Sequence, residues 1–137
     1  MTADGTRRYI RPGPLVTGLG NPLMKMLGFA PALAVRGRRS GAWRTTPVMP
    51  LKVDKITYLV SPRGETDWVR NLRAAGEGEL RRFTRTRTFR AAEIPRADRA
   101  RFVEAYKRRW ARAGPIKRQF DKLPDPTDHP VFQLTFR

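Results

Sequence analysis

The stretch VRGRRSGAWRTTPVMPL (Val35–Leu51) decides the fold. It reads as two β-strands meeting across a turn, the first from Ala32 to Arg38 and its return partner from Trp43 to Val53. Arg39-Ser40-Gly41-Ala42 makes the turn, where Gly41 is free to take a positive φ. Pro47 and Pro50 each remove a ladder donor, so the return strand is expected at a sheet edge, bent or bulged there. Arg36, Arg38, Arg39 and Arg44 crowd the turn. By residue type alone this is a solvated basic hairpin, a nucleic-acid patch or a cradle for one anion.

Working outward, Asp54-Lys55 forms a turn and Ile56 to Ser61 a third strand. Pro62 and Gly64 break that pattern. Thr66 or Glu65 then caps a short helix with Trp68, Val69 and Leu72 on one face, ended by Gly76 and Gly78. A hairpin follows, Glu79–Phe83 against Arg87–Ile94, with Phe83 and Phe89 expected in the core. Pro95 starts a helix to about Ala113 with Phe102, Val103, Tyr106 and Trp110 along its buried stripe, and Gly114-Pro115 closes it. KLPDPTDHP is a proline-punctuated connection, and Val131 to Phe136 alternates as a last strand. The expected fold class is α+β, mainly antiparallel β: six short strands in a small barrel with flanking helices.

The chain has 137 residues, consistent with one domain over 1–137. It has no cysteine, which excludes disulfides, thiolate zinc sites and a cysteine nucleophile. His129 is the sole histidine and has no ligand cluster beside it, so neither a metal site nor a Ser-His-Asp hydrolase is expected. The formal charge is +17, from 29 basic and 12 acidic residues, and 23 of the basic residues are arginine. Such a surface attracts polyanions, and arginine's planar fork suits phosphate and carboxylate.

Residues 1–31 read as an apolar N-terminal segment. Its Leu23, Met24, Met26, Leu27 and Phe29 suggest a short helix that begins at Pro22 with Asn21 as cap. Asn21-Pro22 and Lys25 interrupt the apolar run, which argues against a signal peptide and a bilayer span. A cytoplasmic protein is expected, with peripheral contact at the inner face of the membrane through this helix as a secondary option.

GRRSGAWRTTPVMPL followed by YLVSPRGETDWVRNL resembles the deazaflavin-dependent nitroreductase family, oxidoreductases of the flavin-binding split-barrel superfamily that use coenzyme F420. The resemblance implies a pyridoxamine-phosphate-oxidase-like split barrel. It also implies that Arg38, Arg39, Ser40 and Arg44, around Gly41, hold the coenzyme's phosphate and glutamates. Pro47, Val48 and Met49 would line the deazaflavin ring. Val60, Ser61, Arg63 and Gly64 would meet its edge or linker, and Trp68 and Asn71 would complete the pocket. Pro62 departs from the pattern by removing a backbone N–H. Tyr106 is the only tyrosine after Tyr58, and its place on the helical stripe suits core packing.

The expected activity is hydride transfer from reduced coenzyme F420 to a small organic acceptor: a quinone, an enone or a nitroaromatic. No residue presents itself as a catalytic acid or base, so the protein's part is orientation and a cationic site. Two alternatives stand beside this. One is a basic nucleic-acid-binding module using RRFTRTRTFR and the Arg99–Arg112 helix, although nucleic acid is not the expected partner. The other is a split barrel that binds FMN or stores cofactor without turnover. The chain is expected to act as a monomer or a homodimer.

Overall fold

Val48-Met49-Pro50 carries the chain from one edge of an antiparallel sheet to the other. The computed structural model describes residues 30–137. Seven strands form one sheet: β1 (Ala32–Arg36), β2 (Trp43–Pro47), β3 (Leu51–Val53), β4 (Ile56–Val60), β5 (Glu77–Arg82), β6 (Arg85–Glu93) and β7 (Val131–Phe136). Their order is β2-β1-β5-β6-β7-β4-β3. A flat sheet of this width would hold its edge strands about 29 Å apart. The backbone from Pro47 to Leu51 reaches at most about 14 Å. The sheet must therefore curl until β2 and β3 come close, which is the geometry of a split barrel.

The prolines explain the difference from the six strands expected. Pro47 ends β2 and Pro50 precedes β3, so the single return strand becomes two separate edge strands. Asp54 and Lys55, both at positive φ (50° and 68°), close the tight β3–β4 hairpin.

β4 alternates in the manner of a strand buried on both faces. Tyr58 and Val60 join Leu51, Phe102, Val103, Tyr106, Ile116, Phe120 and Val131 in one cluster. Leu59 joins Leu33, Val35, Val69, Leu72, Phe89, Phe132 and Leu134 in the other. Helices α2 (Arg99–Trp110) and α3 (Gly114–Lys122) cover the first, and α1 (Asp67–Ala75) covers the second. Each large apolar side chain so buried stabilises the fold by about 1.5–3 kcal/mol. Gly78 lies inside β5 and does not end α1. A Cβ there would come within 2.8 Å of the Ala34 carbonyl oxygen and 3.0 Å of Phe89 Cζ, so β1 and Phe89 pack where a side chain would stand.

Three further expectations need correction. Phe89 is fully buried, but Phe83 is 88% exposed at the β5–β6 turn, because β5 ends at Arg82 and Phe83 takes φ 53° in the link. The long helix ends at Trp110, three residues short. Gly114-Pro115 opens a new helix, α3, with proline in its first turn where a missing N–H costs nothing. The apolar helix read around Lys25 lies outside the described residues.

Candidate functional site

The β1–β2 link, Gly37 to Ala42, is tied by its own backbone. Gly37 N–H donates to Ala42 O (2.8 Å) and Gly41 N–H to Gly37 O (2.9 Å). Ser40 Oγ accepts from Ala42 N–H at 3.2 Å, and Arg36 Nη1 donates to Gly41 O at 3.2 Å. Gly41 sits at φ 71°, the left-handed conformation that a side chain would resist.

Helix α1 grips this link. Asn71, only 5% exposed, accepts from Arg38 N–H (3.1 Å) and from Arg38 Nη1 (2.8 Å) through its Oδ1. Arg38 Nη2 also lies 3.6 Å from Asp67. Arg38 is thereby spoken for, whereas Arg39 and Arg44 have no carboxylate partner among the described residues.

Between the link and α1 lies a cleft of about 440 Å³. Seven of the residues singled out in the sequence line it: Arg38, Arg39, Ser40, Arg44, Arg63, Trp68 and Asn71. Its wall is continued by Val35, Thr45 and Thr46 of the first hairpin and by Thr66 and Asp67 at the start of α1. Gly41 shapes the turn but does not line the cleft. Pro47, Val48 and Met49 lie where β2 gives way to β3. Val48 packs beside the cluster that also holds Trp68, whereas Met49 packs on the opposite cluster.

Val60 is buried. Ser61 is fully buried with its polar groups engaged within the protein. Its Oγ donates to Gly64 O (2.6 Å), its N–H donates to Pro130 O (3.0 Å), and its carbonyl faces His129 Nδ1 (2.8 Å). Ser61 and Gly64 therefore shape the lip that presents Arg63 and Thr66. His129 is the residue beside a strand that its position before Pro130 suggested, with Nε2 facing Leu123 O at 2.6 Å. Burial pushes its pKa down from 6.5, against the pull of the two carbonyls.

Thr66 was read only as a helix cap. It does precede α1, yet its side chain makes no capping hydrogen bond, and its hydroxyl is buried without a partner among the described residues. Because Thr66 lines the cleft, a polar group there meets the start of α1, where unpaired N–H groups and the helix dipole favour negative charge. The sequence signal was present, since threonine precedes the first turn, but spacing cannot tell a closed cap from an open one.

The lip is held from behind by an ion network. Arg73 forms a two-pronged pair with Glu93 (2.7 and 2.8 Å) and reaches Glu65 at 3.1 Å. Arg99 Nη2 meets Glu93 at 3.1 Å and its Nη1 donates to Thr127 O at 2.5 Å. Hydrogen bonding to Arg73 holds the Glu93 carboxyl below its usual range, opposed by partial burial. Nothing in the one-dimensional pattern joins Glu65, Arg73, Glu93 and Arg99.

A cationic turn, a helix start and an unpartnered buried hydroxyl are the donor set for an acidic ligand. They fit the anionic portion of a phosphate- and carboxylate-bearing cofactor. No cluster of acidic or histidine side chains suited to a metal ion occurs among the described residues.

A profile of the F420H(2)-dependent quinone reductase family matches residues 15–123. No curated protein matches significantly in sequence. Among solved structures, an F420-H2-dependent reductase (FDR-A) superimposes with TM-score 0.58 at 17% identity, covering 78% of this chain and 94% of its own. A chain solved as a domain-swapped dimer gives TM-score 0.59 at 16% identity, covering 78% and 80%. A putative pyridoxamine 5'-phosphate oxidase from Listeria innocua gives 0.54 at 11%, covering 88% and 94%. At these identities the likeness is one of fold, a split barrel.

Proposed function

The chain belongs to the F420H(2)-dependent quinone reductase family and is an oxidoreductase that uses coenzyme F420; from this premise we propose that it reduces a quinone and holds the coenzyme's acidic tail at the β1–β2 turn. The observation that carries the site assignment is the pair Arg39, within the backbone-braced turn, and Arg44, on the strand that leaves it, which line the cleft and lack carboxylate partners among the described residues. Coenzyme F420, when bound in reduced form, supplies the hydride.

The chain's own residues bind and orient. Arg39 and Arg44 meet phosphate or carboxylate, each charge-assisted contact worth about 1.5–3 kcal/mol at most. Asn71 fixes Arg38, so the turn keeps its shape before any ligand arrives, which lowers the ordering cost of binding. Thr66 and the start of α1 offer further donors, and Trp68, tilted at 52° against Phe132 with ring centroids 6.0 Å apart, gives the cleft an apolar wall. Pro47, Val48 and Met49, with Val60, Ser61 and Gly64 behind the lip, frame the place proposed for the ring. No side chain of the cleft is assigned as proton donor. Enones and nitroaromatics are the secondary acceptors and FMN the competing cofactor. A cytoplasmic location is part of the proposal, as is a homodimer, for which the domain-swapped relative offers a precedent.

Titration with oxidised and reduced F420, followed by deazaflavin fluorescence, tests this. We expect saturable one-to-one binding, tighter than FMN, and turnover with quinones. Absence of binding at saturating coenzyme, or preference for FMN, overturns it.

A further inference from the structure

On the far side of the β2–β3 break a second, larger hollow of about 1010 Å³ opens between the C-terminal half of α2 and the ends of the strands. Six cations line it: Lys52, Arg82, Arg87, Arg108, Arg109 and Arg112. No acidic residue does, and none of the six has a carboxylate partner among the described residues. Elsewhere the acids are used in pairs, as with Arg73, Arg81, Arg96, Arg99 and Arg137. The hollow is also apolar inside, through Met49, Leu51, Leu80, Trp110 and Phe136.

Its rim carries the β5–β6 turn. The strands on either side supply Arg82 and Arg87 to the hollow, and between them Phe83 stands 88% exposed at φ 53°. A bulky residue in that conformation is strained. A large apolar side chain projecting from a ring of arginines, beside an apolar floor, matches a surface that is both negative and greasy.

We propose that this face docks on a bilayer containing anionic lipids, with Phe83 entering the headgroup region and the six cations meeting the lipid charges. Nucleic acid fits less well. The rings of Trp110 and Phe136 are covered by the guanidinium groups of Arg109 (3.8 Å) and Arg87 (3.6 Å), so Phe83 is the one aromatic of this face left largely open among the described residues, too few for a run of stacked bases. The proposal goes beyond the reductase assignment and needs no coenzyme to test.

The full chain is mixed with vesicles of phosphatidylcholine alone and of phosphatidylcholine with phosphatidylglycerol, and binding is read by co-sedimentation. Binding to the anionic vesicles alone, weakened by salt, is expected. Arg87→Glu with Arg109→Glu should weaken it at least about tenfold. The control, Arg70→Glu with Arg118→Glu, makes the same charge change on exposed residues away from the hollow and should weaken it much less. Since the chain has no cysteine, Phe83→Cys accepts a single environment-sensitive dye, whose emission should shift to the blue on anionic vesicles. Equal losses in the two double variants, an unshifted dye, no vesicle binding, or tighter binding of an oligonucleotide through the same arginines would each overturn the proposal. Circular dichroism confirms that each variant is folded.

Discussion

The arginines at the β1–β2 turn and those gathered around Glu93 are the same residue type in opposite circumstances. There, Arg73 of α1 and Arg99 of α2 converge on Glu93, which is only partly exposed, and close an ion network within the protein's own residues. At the turn, Arg39 and Arg44 line a cleft and have no carboxylate partner among the described residues. The contrast teaches that with 29 basic residues and 12 acidic ones, the placement of the acids decides which arginines serve the fold and which remain open to the proposed ligand. The first group should matter to stability, and the second to binding.

The largest effect that could break this contrast is Arg99→Ala. It removes a nearly buried guanidinium, leaves Glu93 and the Thr127 carbonyl short of a donor, and should cost about 2–4 kcal/mol in chemical denaturation. A change within error would show that the network is ornamental. Glu93→Gln should follow at about 1–2 kcal/mol, discounted because the pair is partly solvated. Its sign with pH is set by Arg73, which holds the Glu93 carboxyl below 4.5. That stabilisation is present above the unfolded value and lost as pH falls through the folded one. Wild type and variant should therefore converge in strong acid, as thermal melts across pH would show.

His129 sharpens the comparison from another side, because it supports the Ser61 carbonyl at the base of the lip. Its folded pKa is depressed from 6.5, chiefly by burial. The contribution is thus complete above that value and falls away as the unfolded chain takes up the proton, by at most about 1.4 kcal/mol per pH unit. His129→Asn should cost stability at neutral pH and flatten the melting profile between about pH 6.5 and the carboxylate range. The smallest effect is expected at the turn. Arg39→Ala with Arg44→Ala should alter unfolding free energy by no more than about 0.5 kcal/mol, because neither side chain has a carboxylate partner to lose among the described residues.

Much of the fold was legible because it rests on strict alternation and on glycine and proline. β7 begins and ends where its pattern predicts, β4 to within a residue, and Gly76 stops α1. The two prolines signalled a bent edge strand but not that it would separate into β2 and β3, which depends on the curl of the whole sheet. Phe83 misled because an arginine-rich hairpin with phenylalanine at both ends looks the same whether one ring or both face inward, and the turn position decides. α3 was hidden by Gly114-Pro115, a pair that can end one helix or begin the next. At the candidate site, the grouping of Arg38, Arg39, Ser40, Arg44, Arg63, Trp68 and Asn71 around one cleft was legible. Thr66's open hydroxyl and the Glu65–Arg73–Glu93–Arg99 network were not, since both depend on contacts between distant segments.

The central claim is that Arg39 and Arg44 beside Gly41 hold the acidic end of the coenzyme, and isothermal titration of F420 into wild type and the Arg39→Ala, Arg44→Ala double variant tests it most directly. We predict a loss of affinity of about a hundredfold, two contacts of about 1.4 kcal/mol each, in a protein that melts as wild type does. An unchanged dissociation constant would contradict the account and move the coenzyme's tail elsewhere.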